Sequence, residues 1–240
     1  MRRSRPSGDP SPVGPDGGPA ATRKRRHVPA SVEAVVLLVL ALLLALGIKT
    51  FLVQMFFVPS ESMEPLFIKN DRIMVEKWSY WSSPVRRGDV VVFEDPGGWL
   101  GPPPPLNPVQ KGLSTIGLYP TGGHLVKRVI GVGGDRVACC DPDGRLTVNG
   151  VPLVEDSYVK KGSKPSDRDF SVTVPKGRLW VMGDNRSNSE DSRYHRQLPG
   201  GGTVPESAVV GKVWAIVWPI SRWDHIETPR TFDQKALAQE

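Results

Sequence analysis

Residues 87–93 read Arg87-Gly88-Asp89-Val90-Val91-Val92-Phe93. A glycine–aspartate pair turns the chain, and three β-branched residues and an aromatic follow at once. That is the pattern of a short apolar strand. The same texture repeats on either side. Arg72-Ile73-Met74-Val75-Glu76-Lys77 alternates polar with apolar. Leu125 to Val132, Arg145 to Val148, Val172 to Val174, Leu179 to Met182 and Val209 to Pro219 are short apolar runs closed by turn-forming residues. Asn149-Gly150, set between Val148 and Val151, has the composition of a two-residue hairpin turn. With 25 Gly and 24 Pro in 240 residues, turns and short strands are favoured over long helices. The expected class is all-β, a coiled multi-strand sheet arranged as a barrel or sandwich over residues 55–223.

Two segments interrupt the strands. Residues 96–123 contain Pro102-Pro103-Pro104-Pro105 and several glycines, and read as an insertion with polyproline character. Lys160 to Asp169 reads as a polar, mobile linker. Residues 224–240 read as a polar C-terminal tail without a second membrane span.

The chain ahead of the strands differs. Ala34 to Ile48 is uncharged and built almost wholly from Leu, Val and Ala, with Glu33 and Lys49 at its ends. Fifteen residues at about 1.5 Å each span roughly 22 Å of the ~30 Å hydrocarbon core, and the flanks close the difference. The run is apolar on every face, which disfavours a core helix. A cleaved signal peptide is weighed against an uncleaved anchor. The length of the run, and its continuation through Phe51-Leu52-Val53 and Phe56-Phe57-Val58, favour a transmembrane anchor over residues 31–54. The basic cluster Arg23-Lys24-Arg25-Arg26 precedes it, so the tail is expected in the cytoplasm and the β domain outside.

Charge and cysteine content narrow the function. Seven Lys/Arg against Asp9 and Asp16 place +5 of the net +6 within residues 1–30. The rest of the chain is near neutral, which argues against a nucleic-acid-binding face. Residues 1–30 are a Pro/Gly/Ser/Arg-rich tail with too little apolar surface to order itself. Cys139-Cys140 is neither a disulfide framework nor a zinc site, and either a vicinal disulfide or two free thiols would fit. No metal or cofactor motif is present.

Just past the anchor, Pro59-Ser60-Glu61-Ser62-Met63-Glu64-Pro65 sets two hydroxyls between prolines. A nucleophilic serine there needs a base. His124 and His195 are candidates, but nothing around either marks a Ser-His-Asp arrangement. Lys127 is the better one. In Leu125-Val126-Lys127-Arg128-Val129-Ile130, alternation sets it on the apolar face of Leu125 and Val129. Desolvation there disfavours the ammonium and lowers the pKa, so a neutral amine can take a proton from serine. Gly183-Asp184-Asn185-Arg186-Ser187-Asn188-Ser189-Glu190-Asp191-Ser192-Arg193 could be a surface loop or a hydrogen-bonded platform for that lysine, with Asp191 and Arg193 free to pair.

Taken in order behind an anchor, the motifs at 59–65, 87–93, 127–135 and 183–193 resemble those of bacterial type I signal peptidase, a membrane protease of the Ser/Lys type. The resemblance implies a fold shared with self-cleaving repressors, a coiled β-sheet catalytic domain behind one N-terminal transmembrane helix. It implies Ser62 as nucleophile and Lys127 as general base. The Ser60 hydroxyl and the Ser62 N–H would hold the oxyanion. Ser189 would orient the lysine, and Asp191 with Arg193 would support it. Val58, Met63 and Val126 would line shallow substrate pockets. The implied substrates are signal peptides of exported preproteins, cut after Ala-x-Ala. The bilayer and the secretion translocon are the implied partners, and no cofactor, metal or nucleic acid is expected. Leu66, Ser187 and His195 depart from the family's usual threonine, aspartate and aromatic. A cytoplasmic self-cleaving repressor would carry a DNA-binding domain where this chain has its anchor. A non-catalytic scaffold would tolerate Ser62→Ala.

Overall fold

The structure, a computed structural model, describes residues 29–101, 107–108 and 123–238. The expectations for the basic tail and for the polyproline run lie outside the described residues. The chain divides into two compact units, one through Leu43 and one from Leu44 onward. Helix α1 (Ala30–Phe51) is continuous for 22 residues, about 33 Å at 1.5 Å per residue. Its Ala30–Gly47 window has a mean hydropathy of 2.5, and none of it is buried. An apolar helix exposed on all its faces among the described residues suits lipid rather than water.

The second unit is built from strands. They are β1 (Val53–Phe57), β2 (Arg72–Glu76), β3 (Val90–Glu94), β4 (His124–Gly131), β5 (Arg136–Cys139), β6 (Thr147–Val148), β7 (Val151–Pro152), β8 (Phe170–Thr173), β9 (Arg178–Met182), β10 (Val204–Pro205), β11 (Val209–Trp218) and β12 (Asp224–His225). The apolar run after the anchor is thus divided, with the helix ending at Phe51 and residues 53–57 forming a strand. The main sheet has the order β1-β2-β11-β3-β4-β9-β10, with β12 also on β11. A second sheet has the order β7-β6-β5-β8. All of the described ladders are antiparallel. The β6–β7 hairpin turns at Asn149-Gly150, both at positive φ (52° and 79°), as a primed two-residue turn demands.

The run Val90 to Phe93 is a strand buried on both faces. Val90 and Val92 join Val58, Met63, Phe67 and Ile73 on one side. Val91 and Phe93 join Trp99, Val129 and Val181 on the other. The main sheet also curls. In a flat sheet, β1 and β4 would stand four steps apart, roughly 19 Å at about 4.8 Å per step. Yet the rings of Phe56 on β1 and His124 on β4 have centroids 5.2 Å apart. β11 shifts register on both neighbours, between Val213 and Ala215, Ile216 and Trp218, and Val209 and Gly211. Such bulges raise local twist and bend a sheet.

Residues 224–238, read from sequence as a polar tail, contribute Phe232 and Leu237 to the cluster around Trp180. Their apolar positions are isolated rather than periodic, so no pattern signalled burial. The 160–169 segment is likewise tied down. Lys160 Nζ meets Glu64 at 2.7 Å, and the Asp167 carboxylate accepts from the Tyr194 hydroxyl at 2.8 Å.

Three arginines lie almost wholly inside this unit. Arg128 pairs with Asp184 through two bonds of 2.8 and 2.7 Å. Arg186 pairs with Glu155 at 2.7 and 3.0 Å, and Arg193 pairs with Asp191 at 2.8 Å through Nε and Nη2. Fork-shaped pairing offsets the desolvation of each charge. Removing one partner leaves the other buried and uncompensated. Asp184→Ala is therefore expected to lose about 3–5 kcal/mol of stability, read as a lowered midpoint in denaturant titration. A change below about 1 kcal/mol would mean that Arg128 finds water or another partner.

Candidate active site

Ser62 follows β1 on the short loop that leads through Pro65 towards β2. Met63 and Phe67, both fully buried, anchor that loop in the apolar cluster under the sheet. Lys127 lies on β4. Its register partner is Val91, whose side chain belongs to the cluster shared by Val129 and Leu125. Alternation thus carries the lysine into an apolar face, and only 4% of it is exposed. Its Nζ lies 2.6 Å from Ser62 Oγ, across 65 positions of sequence. Ser62 itself is 7% exposed. Burial pushes the amine down from its ordinary value to about 8, and the Asp191 and Asp184 charges oppose part of that fall. A lysine in that range is partly neutral near neutrality and can accept the serine proton.

The other expected residues stand as follows. Ser60 Oγ is 3.3 Å from Ser62 Oγ. Ser189 is buried, and its hydroxyl has no hydrogen-bond partner among the described residues. A Cβ built on Gly183 would collide with both Ser189 Oγ and the Ser62 carbonyl, so both flank the same bare α-carbon. Asp191 and Arg193 form the ion pair above. Asp191 also accepts from the Gly183 N–H at 3.0 Å, and Arg193 donates to the Arg186 carbonyl at 2.9 Å. Val126 lines a cavity of about 180 Å³ together with Ser60, Ser62 and Lys127. Val58 and Met63 lie buried in the cluster behind Ile73 and Val92 and do not line that cavity. The His195 ring contacts the Asp191 carbonyl through Nδ1 at 2.9 Å. It stacks on Trp99, with centroids 4.4 Å apart. His124 lines the far end of the cavity against Phe56. A larger open groove of about 1020 Å³, lined by Arg222 and Trp223 among others, lies apart from this pair.

The sequence pattern did not single out Asn185. Its backbone N–H donates to the Ser62 carbonyl at 3.1 Å, and its side chain donates to the Glu61 carbonyl at 3.1 Å. These two bonds tie the 183–193 loop to the serine loop. The signal was present, since an asparagine beside two charged residues in a polar loop offers several donors, but its target was 124 residues away. Cys139 and Cys140 are joined as a vicinal disulfide on the second sheet. Among the described residues no cluster of His, Cys, Asp or Glu is arranged to hold a metal.

The sequence model of the family described as "Signal peptidase, peptidase S26" matches residues 31–218. The chain is 42% identical over 225 residues to the probable signal peptidase I of Mycobacterium leprae (strain TN), covering 80% of this chain and 77% of that protein. It is 43% identical over 218 residues to signal peptidase I of Mycobacterium tuberculosis (strain CDC 1551 / Oshkosh), covering 80% and 74%. It is 34% identical over 226 residues to signal peptidase I of Leptolyngbya laminosa, covering 94% and 98%. The family model and these relatives indicate a serine endopeptidase. The chain belongs to the signal peptidase family, peptidase S26.

The lowered amine pKa can be read directly. In a 13Cε-lysine NMR titration of the full chain, with Lys127→Met to assign the signal, Lys127 is expected to titrate near 8. A midpoint at the ordinary lysine value of about 10.4 would show an amine open to water.

Proposed function

We propose that this chain is a membrane-anchored endopeptidase that removes N-terminal signal peptides from exported preproteins, with Ser62 as nucleophile and Lys127 as general base. One observation carries the dyad: a buried amine of lowered pKa, 2.6 Å from a buried serine hydroxyl. Family membership supports the reaction class.

With the amine neutral, the Ser62 hydroxyl donates its proton to Nζ as Oγ bonds to the scissile carbonyl carbon. The Ser62 N–H and the Ser60 hydroxyl stabilise the oxyanion, each such donor being worth about 10²–10³ in rate. The C–N bond then breaks, and the leaving amine takes the proton from the Lys127 ammonium. An ester joins Ser62 to the signal peptide. Lys127, neutral again, draws a proton from water as that water attacks the ester, and returns it to Oγ. Ser189 orients the amine. Asp191 and Arg193 hold the loop that carries Ser189. The chain supplies both nucleophile and base, so no cofactor is needed.

Cleavage after Ala-x-Ala is what the family resemblance implies, and the cavity of about 180 Å³ beside Ser62 and Lys127 is the place for the small side chains. The sheet offers edges for an extended peptide. β9 pairs with β4 from Arg128 onward, leaving residues 125–127 ahead of that ladder, and β1 ends the strand order. Main-chain pairing to such an edge gives affinity, and pockets for alternate side chains give specificity. The anchor is α1, with the basic tail in the cytoplasm and the β domain outside, following the excess of basic residues ahead of it. Lipid contact has a candidate surface. Phe57, Arg72 and Trp218 are register partners across β1, β2 and β11, and Phe57, Trp218, Ile220 and Trp223 are exposed. Exposed aromatics with a basic residue suit a headgroup boundary. The secretion translocon is the source of substrate.

Preprotein cleavage by the purified full chain tests the chemistry. Ser62→Ala and Lys127→Ala are each expected to lower kcat by about 10⁴-fold or more, and Ser60→Ala by about 10²–10³. Full activity in either of the first two would sink the dyad. In wild type, kcat/KM should fall about tenfold per pH unit as pH drops below the Lys127 value of about 8, because protonation removes the base. A flat profile over roughly pH 6 to 9 would exclude a neutral amine as base.

A further inference from the structure

The insertion after Phe93 has no role in the chemistry above, yet its described beginning is a built turn. Asp95 Oδ1 accepts the N–H groups of Gly97 and Trp99, and Oδ2 accepts that of Leu100, each at 3.0 Å. The Asp95 N–H donates to the Gly123 carbonyl at 2.8 Å, which ties the turn to the chain entering β4. Trp99 is buried. It meets Phe93 edge-on with centroids 5.8 Å apart, and lies flat on His195 with planes 7° apart. His195 Nδ1 is 2.9 Å from the Asp191 carbonyl, so the stack is fastened to the loop that holds the Asp191–Arg193 pair. The next residue, Leu100, lines the same cavity as Ser62, Lys127 and Val126. It remains more than a third exposed.

A leucine on a loose loop would swing aside for any substrate. This one cannot do so cheaply, because three backbone bonds and a buried tryptophan fix the residues before it. We propose that Leu100 is a specificity-determining wall of the substrate groove, and that Trp99 and His195 are positioning residues that hold it there. The proposal rests on the reading of Ser62 and Lys127 as nucleophile and base. The substrate class it names is a peptide whose side chain beside Leu100, at one of the three positions before the scissile bond, is small. Shortening the wall admits a larger side chain, and enlarging it excludes all but the smallest.

The experiment compares kcat/KM for peptides with Ala, Val or Leu at each of those three positions, using the detergent-solubilised full chain. Leu100→Ala is expected to shift the Leu-to-Ala ratio at one position by about tenfold or more in favour of Leu, and Leu100→Trp to shift it the other way. His195→Ala should move the ratio in the direction of Leu100→Ala, and His195→Phe, which keeps a stacked ring, should restore it. A merely structural loss would lower all peptides alike and leave the ratio unchanged. Ratios within about twofold of wild type in both Leu100 variants would overturn the wall. Ser62→Ala separates the two readings. If it is inactive while the Leu100 ratios do not move, only the wall fails. If it remains active, the underlying dyad fails.

Discussion

The contact between Lys127 and Ser62 sets conditions that the rest of the domain must meet. An amine with a depressed pKa has to be kept from water, yet stay within reach of a hydroxyl on another element. β4 supplies the first condition by carrying Lys127 into an apolar face of the sheet. The curl of the sheet and the short loop after β1 supply the second. Desolvation and nearby carboxylates act in opposite directions on the amine. The balance leaves it below its ordinary value without removing its ability to bind a proton, the property on which the proposed general-base role rests.

The loop at 183–193 is held by charges rather than by an apolar core of its own. Arg128, Arg186 and Arg193 each find a carboxylate inside the protein. Arg128 and Arg186 also face the ring of Tyr158. Such pairs add little net stability compared with apolar residues of the same size, but they fix one geometry, since each fork has one partner in the right plane. The loop in turn grips the serine loop through Asn185, while Lys160 and Glu64 join it from the other side. Ser62, Lys127 and the 183–193 loop come from three separate stretches of chain, and polar contacts between those stretches set their distances.

Much of this is legible in the order of residues along the chain. Short apolar runs bounded by turns predict β2, β3, β4, β6, β8, β9 and β11, and Asn149-Gly150 predicts its hairpin, because strand periodicity and turn chemistry are local properties. β1 is not separable from the anchor, since Phe51 to Val58 is apolar whether helical or extended. β10 and β12, of two residues each, are too short to show alternation. Residues 224–238 look like a tail because their few apolar side chains are scattered, and only the surface they fill explains them. At the site, Lys127 is conspicuous as a charge among apolar neighbours. Asn185 and Leu100 are not, since an asparagine in a polar loop and a leucine in a Pro/Gly-rich insertion are ordinary until their partners are known.

By itself the sequence determined the β class, the apolar helix and the reactive residue types at their spacing, because each depends on neighbours within a few positions. Only the tertiary structure decided that Lys127 sits 2.6 Å from Ser62, that Val58 and Met63 lie behind the groove while Val126 lines it, and that the insertion reaches the groove through Leu100. These are contacts between residues tens of positions apart. They follow from how the sheet curls and how buried charges pair, and neither leaves a local pattern in the chain.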